Sequence, residues 1–312
     1  MKILITGGAG FIGHNLALYL ARRGYTVVAF DNLENASSRA LLKLEEAGIK
    51  LFKGDVRDKY LVRSTISEVD LVVHAAAYIS VEESFEKPRE YIDNNVGGTA
   101  VVAKTCLELS KPLIYISSAA VYGDPVELPI REEHPQNPLS PYGLSKLMGE
   151  RVVEFYGRIG LKHVVIRPFN IYGPGQSSPY AGVITKFITM ACRGEPLLIH
   201  GDGLQTRDFI HVDDFSRLVE LVIEEKPYGQ VFNAGSGVAT RILDLAKLII
   251  KLTNVNVEVK HTNPRPGDIR SSWADITKAK VILGYKPMVT LEDGIKSIIP
   301  DLCRDVGQSV DL

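Results

Sequence analysis

The chain has 312 residues, with 36 Lys plus Arg against 37 Asp plus Glu and a formal charge of −1. It is long enough for one large or two interlocked domains, and its balanced charge lacks the basic excess of a nucleic-acid binder. Seven His and three Cys (Cys106, Cys192, Cys303) are scattered without CxxC or HxxxH spacing, so neither a metal centre nor a disulfide framework is expected.

Met1 and Lys2 precede an apolar stretch, but glycine interrupts it at once and Arg22 and Arg23 follow, unlike a signal peptide. No apolar run reaches the ~18 residues of a membrane span. A soluble protein of the reducing cytoplasm is expected.

In chain order, short Val/Ile/Leu-rich runs at Ile3–Thr6, Thr26–Phe30, Lys50–Phe52, Leu71–His74, Leu113–Ser117 and His163–Arg167 predict strands. Amphipathic segments near 12–23, 38–47, 58–67, 91–109 and 142–158 predict helices, and Gly24 and Gly48 are suited to end two of them. Apolar strands alternating with helices predict an α/β fold, a doubly wound parallel sheet of the Rossmann type. From Pro168 onward, turn-rich stretches such as IYGPGQSSPYAG and HTNPRPGD predict a smaller, loop-rich C-terminal domain over the sheet's C-terminal edge. The expected division is residues 1–168 for the first domain, with a returning segment at about 208–233, and 169–207 with 234–312 for the second.

Four of the first thirteen residues are glycine. Gly8, Gly10 and Gly13 satisfy GxGxxG, while Gly7, Gly10 and Gly13 satisfy GxxGxxG. The motif alone is weak, but this one follows a predicted strand and opens a helix at Phe11 and Ile12. Asp31 ends the second strand 21 residues after Gly10. Such a turn brings backbone amides and a helix N-terminus to a pyrophosphate, with an acid for the ribose hydroxyls. Carboxylate at Asp31, followed by Asn32, favours NAD over NADP. Asp55 and Val56 in KGDVRD are placed to meet the adenine, although Asp55 also suits a helix N-cap. Small Ala75 and Ala76 in HAAA let a cofactor lie against backbone, and His74 reads as a core histidine.

Tyr142 and Lys146 in SPYGLSK are four residues apart on a predicted helix and share one face. An ammonium beside a phenol, together with an oxidised nicotinamide, would lower the phenol's pKa and make Tyr142 a base for an alcohol proton. An isolated YxxxK is an ordinary surface pair. Behind a dinucleotide motif, and with the strand-end hydroxyls Ser117 and Ser118, it reads as catalytic.

The motifs TGGAGFIG, HAAA, DNNVGGT, ISSAAVYG, SPYGLSK, RPFNIYGP, TRDFIHVDD, FNAGSG and RPGD followed by WAD, in this order, resemble the extended short-chain dehydrogenase/reductase superfamily, most closely its UDP-glucose 4-epimerase branch. The match spans residue 2 to about 285. It implies an NAD-dependent isomerase that inverts C4 of a UDP-hexose, UDP-glucose to UDP-galactose with the N-acetyl forms as further candidates, through a 4-keto intermediate. It also implies a homodimer, paired through residues 91–109 and 142–158, for which Val101, Val102 and Leu109 are candidates. By the same resemblance Ser118 meets the sugar 4-hydroxyl beside Tyr142, Lys146 also holds the nicotinamide ribose, Asn95 supports the cofactor, and Ser117 and Pro168 lie near the nicotinamide. Asn170, Arg207, Arg265 and Asp268 would hold the nucleoside diphosphate, and Ser272, just before the Trp of WAD, would face the sugar's C2 region. The dehydratases of the superfamily carry an acid one or two places after the catalytic hydroxyl. Here those places are Ala119 and Ala120, which argues against elimination. Other readings are a UDP-glucuronate epimerase or decarboxylase, and a non-catalytic NAD-sensing module.

Overall fold

The computed structural model describes residues 1–176, 181–264 and 269–308. Seven parallel strands form the central sheet: β1 (Lys2–Thr6), β2 (Thr26–Asp31), β3 (Lys50–Lys53), β4 (Leu71–His74), β5 (Leu113–Ile116), β6 (His163–Pro168) and β11 (Val231–Ala234), in the order 3-2-1-4-5-6-11. Because strand side chains alternate, each apolar run supplies two cores. Ile3, Ile5, Val27, Ala29, Val73 and Ile166 face one layer, and Leu4, Val28, Val72, Tyr115 and Val165 the other.

The first layer holds helices α1 (Phe11–Arg22), α2 (Ser38–Glu46) and α9 (Val212–Glu225). The second holds α3 (Lys59–Ser67), α6 (Gly98–Glu108) and α7 (Pro141–Arg158). Gly24 and Gly48 follow α1 and α2 with φ of +89° and +66°, the left-handed backbone expected where a helix ends.

The predicted helix at 91–109 is a rod with three parts. After α4 (Val81–Glu86), α5 (Pro88–Tyr91) runs into a π-helical turn at Ile92–Gly97 and then α6. The π turn carries Asn94 and Asn95. A Cβ on Gly98 would lie 2.5 Å from Val56 Cγ2, so glycine there brings the rod against the loop after β3.

After β6 the chain builds β7 (Asn170–Tyr172), α8 (Val183–Cys192), β8 (Leu197–His200), β9 (Thr206–Arg207) and β10 (Phe209–His211), then β12 (Thr240–Arg241), α10 (Ile242–Thr253), β13 (Val259–Thr262), β14 (Ser271–Ser272), α11 (Thr277–Leu283) and α12 (Leu291–Gln308). The helices α8, α10 and α12 enclose a third apolar cluster around Ile188, Leu245 and Ile295. Ala274, Ile276, Ala279 and Tyr285 belong instead to the core of the main sheet, so the chain returns to that layer a second time.

Two expectations are corrected. Cys192 and Cys303 are joined as a disulfide, with Cα atoms 5.3 Å apart. Their separation of 111 residues left no spacing signal, because only the packing of α8 on α12 brings them together. Val102 is fully buried within its own chain, so it cannot serve a dimer surface. Among the described residues no helix is long and apolar enough to cross a membrane.

Candidate active site

The glycine turn lies between β1 and β4, where the strand order reverses and doubly wound sheets bind their ligands. Gly7 has φ +68°, and a Cβ there would meet Ala76 backbone at 2.8 Å. A Cβ on Gly13 would meet Gly7 O at 2.0 Å. The turn therefore closes only with bare backbone. Ser37, Asp58 and Ser140 cap α2, α3 and α7 through their side chains, whereas α1 has Gly10 at its N-cap with no side-chain bond. Its first-turn amides are left facing the cleft, where an anion would complete them.

This cleft, with about 1070 Å³ of space open to solvent, is lined by Gly7, Gly10, Phe11, Ile12, Gly13, Asp31, Asn32, Asp55, Val56, Ala75 and Ala76. Asp31 sits at the rim and accepts from Ala9 N (3.0 Å) and Leu33 N (2.8 Å). Asp55 accepts from the Arg57 amide and guanidinium, which lower its pKa. The N-cap of α3 is Asp58, not Asp55, because Asp58 accepts from Tyr60 N and Leu61 N. A bare-backbone cradle, an uncapped helix N-terminus and a carboxylate at the end of β2 fit a dinucleotide. Among the described residues no His, Cys, Asp and Glu cluster is arranged to hold a metal ion.

Tyr78, Ile79, Glu83, Asn94 and Gln176 also line this cleft and were not foreseen. Tyr78 follows HAAA and donates to Glu34 Oε2 at 2.7 Å. Gln176 follows the YGPG turn, whose approach comes from Asn15 Nδ2 donating to Pro174 O at 2.9 Å. Such tertiary contacts, with Thr185 Oγ1 donating to Gln176 Oε1 at 2.9 Å, carry it to the cleft.

The second half of the site is built on α7. Ser140 caps it and Pro141 occupies its first turn, which sets Tyr142 at the helix start and Lys146 one turn later. A Cβ on Gly143 would lie 2.7 Å from Ala120 O, and one on Gly149 would lie 2.1 Å from Tyr115 Oη. These two glycines let the helix lie against the end of β5 and the turn after it. Tyr142 is thereby brought beside the Ser118 hydroxyl, and Tyr91 meets its ring edge-on at 6.4 Å between centroids.

The expected lowering of the Tyr142 pKa is not a property of the polypeptide alone. Burial raises it, and the neighbouring Ser118 hydroxyl opposes that rise. Lys146 Nζ instead donates to Ile116 O at 2.6 Å and stands 4.5 Å above the Tyr115 ring. Burial pulls its own pKa down to about 7, against the attraction of Glu150. His74 contacts Thr6 Oγ1 and Thr99 Oγ1 through its two ring nitrogens, and burial lowers its pKa to about 3. It is a neutral core residue.

Asn95 Nδ2 donates to Tyr78 O (3.0 Å) and Ser145 Oγ (2.8 Å), joining the cleft loop to α7. The Ser117 hydroxyl is donated to Glu150 Oε1, the buried carboxylate behind the strand end. Pro168 ends β6 beside Ala234. Asn170 begins β7 and donates to Asp208 O at 2.9 Å. Arg207 on β9 is the register partner of Ser272 on β14, and its guanidinium donates to Ile269 O at 2.7 Å. Arg265 and Asp268 lie outside the described residues.

A sequence model of the NAD dependent epimerase/dehydratase family matches residues 3–235. A UDP-glucose 4-epimerase of Lactobacillus helveticus is 32% identical over 92% of this chain and 92% of its own. A UDP-N-acetyl-alpha-D-glucosaminuronate decarboxylase of Bacillus cytotoxicus is 33% identical over 96% of each. The crystal structure of UDP-glucose 4-epimerase with UDP-glucose from Thermotoga maritima superposes with a TM-score of 0.92 at 34% identity, covering 98% of this chain and 100% of that one. With the family model matched over residues 3–235 and relatives above 30% identity along nearly the whole length, the chain belongs to the NAD-dependent epimerase/dehydratase family.

Proposed function

We propose that this protein is a UDP-hexose 4-epimerase, acting on UDP-glucose and UDP-galactose and on their N-acetyl forms. The observation that carries this reading is that Tyr142 stands beside the Ser118 hydroxyl, followed by Ala119 and Ala120. The pair offers a base for one sugar hydroxyl, while the two positions after Ser118 carry no acid to expel another.

NAD, when bound, accepts a hydride and returns it; Gly7, Gly10, Gly13, Asp31 and Asp55 would hold it. Ser118 holds the 4-hydroxyl oxygen, and Tyr142 Oη removes the proton and later gives it back. Lys146 supplies positive charge behind the pair and favours phenolate. Inversion requires a 4-keto sugar that turns while its nucleotide stays held. Asn170, Arg207, Arg265 and Asp268 are our candidates for that grip, the arginines through charge-assisted bonds to the diphosphate. Segments 169–207 and 234–312 would form the sugar-nucleotide side, and 1–168 with 208–233 the cofactor side. We further propose a cytoplasmic homodimer joined through α7, where Leu144, Met148 and Phe155 are exposed along one face.

The test is NMR of products from UDP-glucose, UDP-galactose and their N-acetyl forms without added NAD, beside UDP-glucuronate. Epimers are expected. Loss of CO2 from UDP-glucuronate with no epimer of any hexose would transfer the assignment to decarboxylation, the activity in the name of the Bacillus relative. Tyr142→Phe should lower kcat by about 100-fold or more while UDP-sugar binding persists.

A further inference from the structure

Glu150 is fully buried, one helical turn after Lys146 on α7. Its carboxylate accepts from Ser117 Oγ, from Arg167 Nε (2.9 Å) and Nη2 (2.7 Å), and from Gln136 Nε2 (3.0 Å). Four donors fill the lone-pair sites of one carboxylate. Arg167 is itself 3% exposed and is held by Tyr122 Oη and Glu132 O. The pair is therefore buried and rigidly held.

Its connections are selective. Ser117 precedes Ser118, Arg167 precedes Pro168, and Lys146 lies four residues before Glu150. One carboxylate thus ties α7 to the ends of β5 and β6 at the neighbours of three site residues. We infer that Glu150 is a positioning residue that sets both the place and the charge of Lys146. The inference rests on the reading of Tyr142 and Lys146 as the reacting pair.

The groups facing Lys146 are few. From β4 comes His74, neutral because burial holds its pKa near 3, and from β5 come the Tyr115 ring and the Ile116 carbonyl. From α7 come Tyr142, whose pKa burial raises, and Glu150. Glu150 lies one helical turn after Lys146 on the same face of α7, and a negative charge there favours the ammonium, as do the Ile116 carbonyl and the Tyr115 ring.

The experiment is a titration of Lys146 by NMR in holoenzyme carrying lysine labelled at 13Cε, the signal being assigned by its loss in Lys146→Met. Wild type is compared with Glu150→Gln and with Glu150→Gln/Arg167→Met, in which no unpaired buried arginine remains and folding is protected. In both variants the Lys146 midpoint should fall by about one unit, a tenfold loss of proton affinity, and the alkaline limb of kcat should move down with it. A midpoint equal to that of wild type in either variant would overturn the inference, since a purely structural carboxylate changes stability alone. Wild-type turnover in Lys146→Met or Tyr142→Phe would instead overturn the reading of the pair, and the NMR midpoint would still report on Glu150.

Discussion

The cofactor cleft and the region proposed for the sugar nucleotide use opposite means. Around residues 7–13 the chain presents backbone, packed so closely that a Cβ on Gly13 would stand 2.0 Å from a carbonyl oxygen. Around β9 and β14 it presents side chains on two-residue strands, with Arg207 and Ser272 in register. The first is a local turn at a strand end and has one geometry. The second is assembled from segments more than 60 residues apart, so its shape depends on how they pack. A site that grips through backbone tolerates little change; a site that grips through side chains can change its ligand one residue at a time.

The strongest way to break this contrast is Gly13→Ala. The neighbour in its way is Gly7 O, which is backbone and cannot swing aside. A destabilisation of about 3 kcal/mol or more is expected, with NAD binding lost. Chemical denaturation and equilibrium titration measure the two effects. Near wild-type values for both would show that the turn adapts, and the contrast would fail.

A substitution on the other side should alter selectivity and leave the fold alone. Ser272→Tyr, on half-exposed β14, should reduce turnover of UDP-GlcNAc and UDP-GalNAc by about tenfold relative to the plain hexoses, since an added ring removes room for an acetamido group. Equal losses for both substrate pairs, or no N-acetyl activity in the wild type, would remove Ser272 as the determinant.

The smallest effect sharpens the meaning of glycine itself. Gly48 has φ +66° but nothing within 4 Å of a Cβ placed on it. Gly48→Ala should therefore cost about 1 kcal/mol, the penalty of left-handed backbone alone, and leave NAD affinity unchanged. Thermal denaturation would measure it. A loss matching that of Gly13→Ala would mean that conformation, rather than close approach, explains the glycines of the cleft.

Much of the central sheet and its flanking helices was legible because their signals are local. The strand at 71–74 agrees residue for residue, and α7 begins where Ser140 and Pro141 announce it. The short helix α4 was legible too, since Ser80 accepts from Glu83 N as a cap should, but it was not read. The π turn had no such signal: its extra residue is supported by Asn95 bonding to Tyr78 and Ser145, partners on other elements. The bond from Ser117 to Glu150 was hidden for the same reason, because a hydroxyl at a strand end looks alike whether it faces a ligand or a buried carboxylate.

By itself the sequence determined the alternation of strands and helices, the glycine turn with Asp31 behind it, and the Tyr142 and Lys146 spacing. Each of these depends on neighbours within one turn, one strand or one βαβ unit, where backbone geometry and side-chain period dictate the outcome. The tertiary structure alone decided that Glu150 and Arg167 meet beneath Lys146, that Gln176 reaches the cleft, that Ser272 lies beside Arg207, and that Cys192 meets Cys303. Those contacts form only when distant segments are packed together, and close packing selects partners by shape across the whole fold.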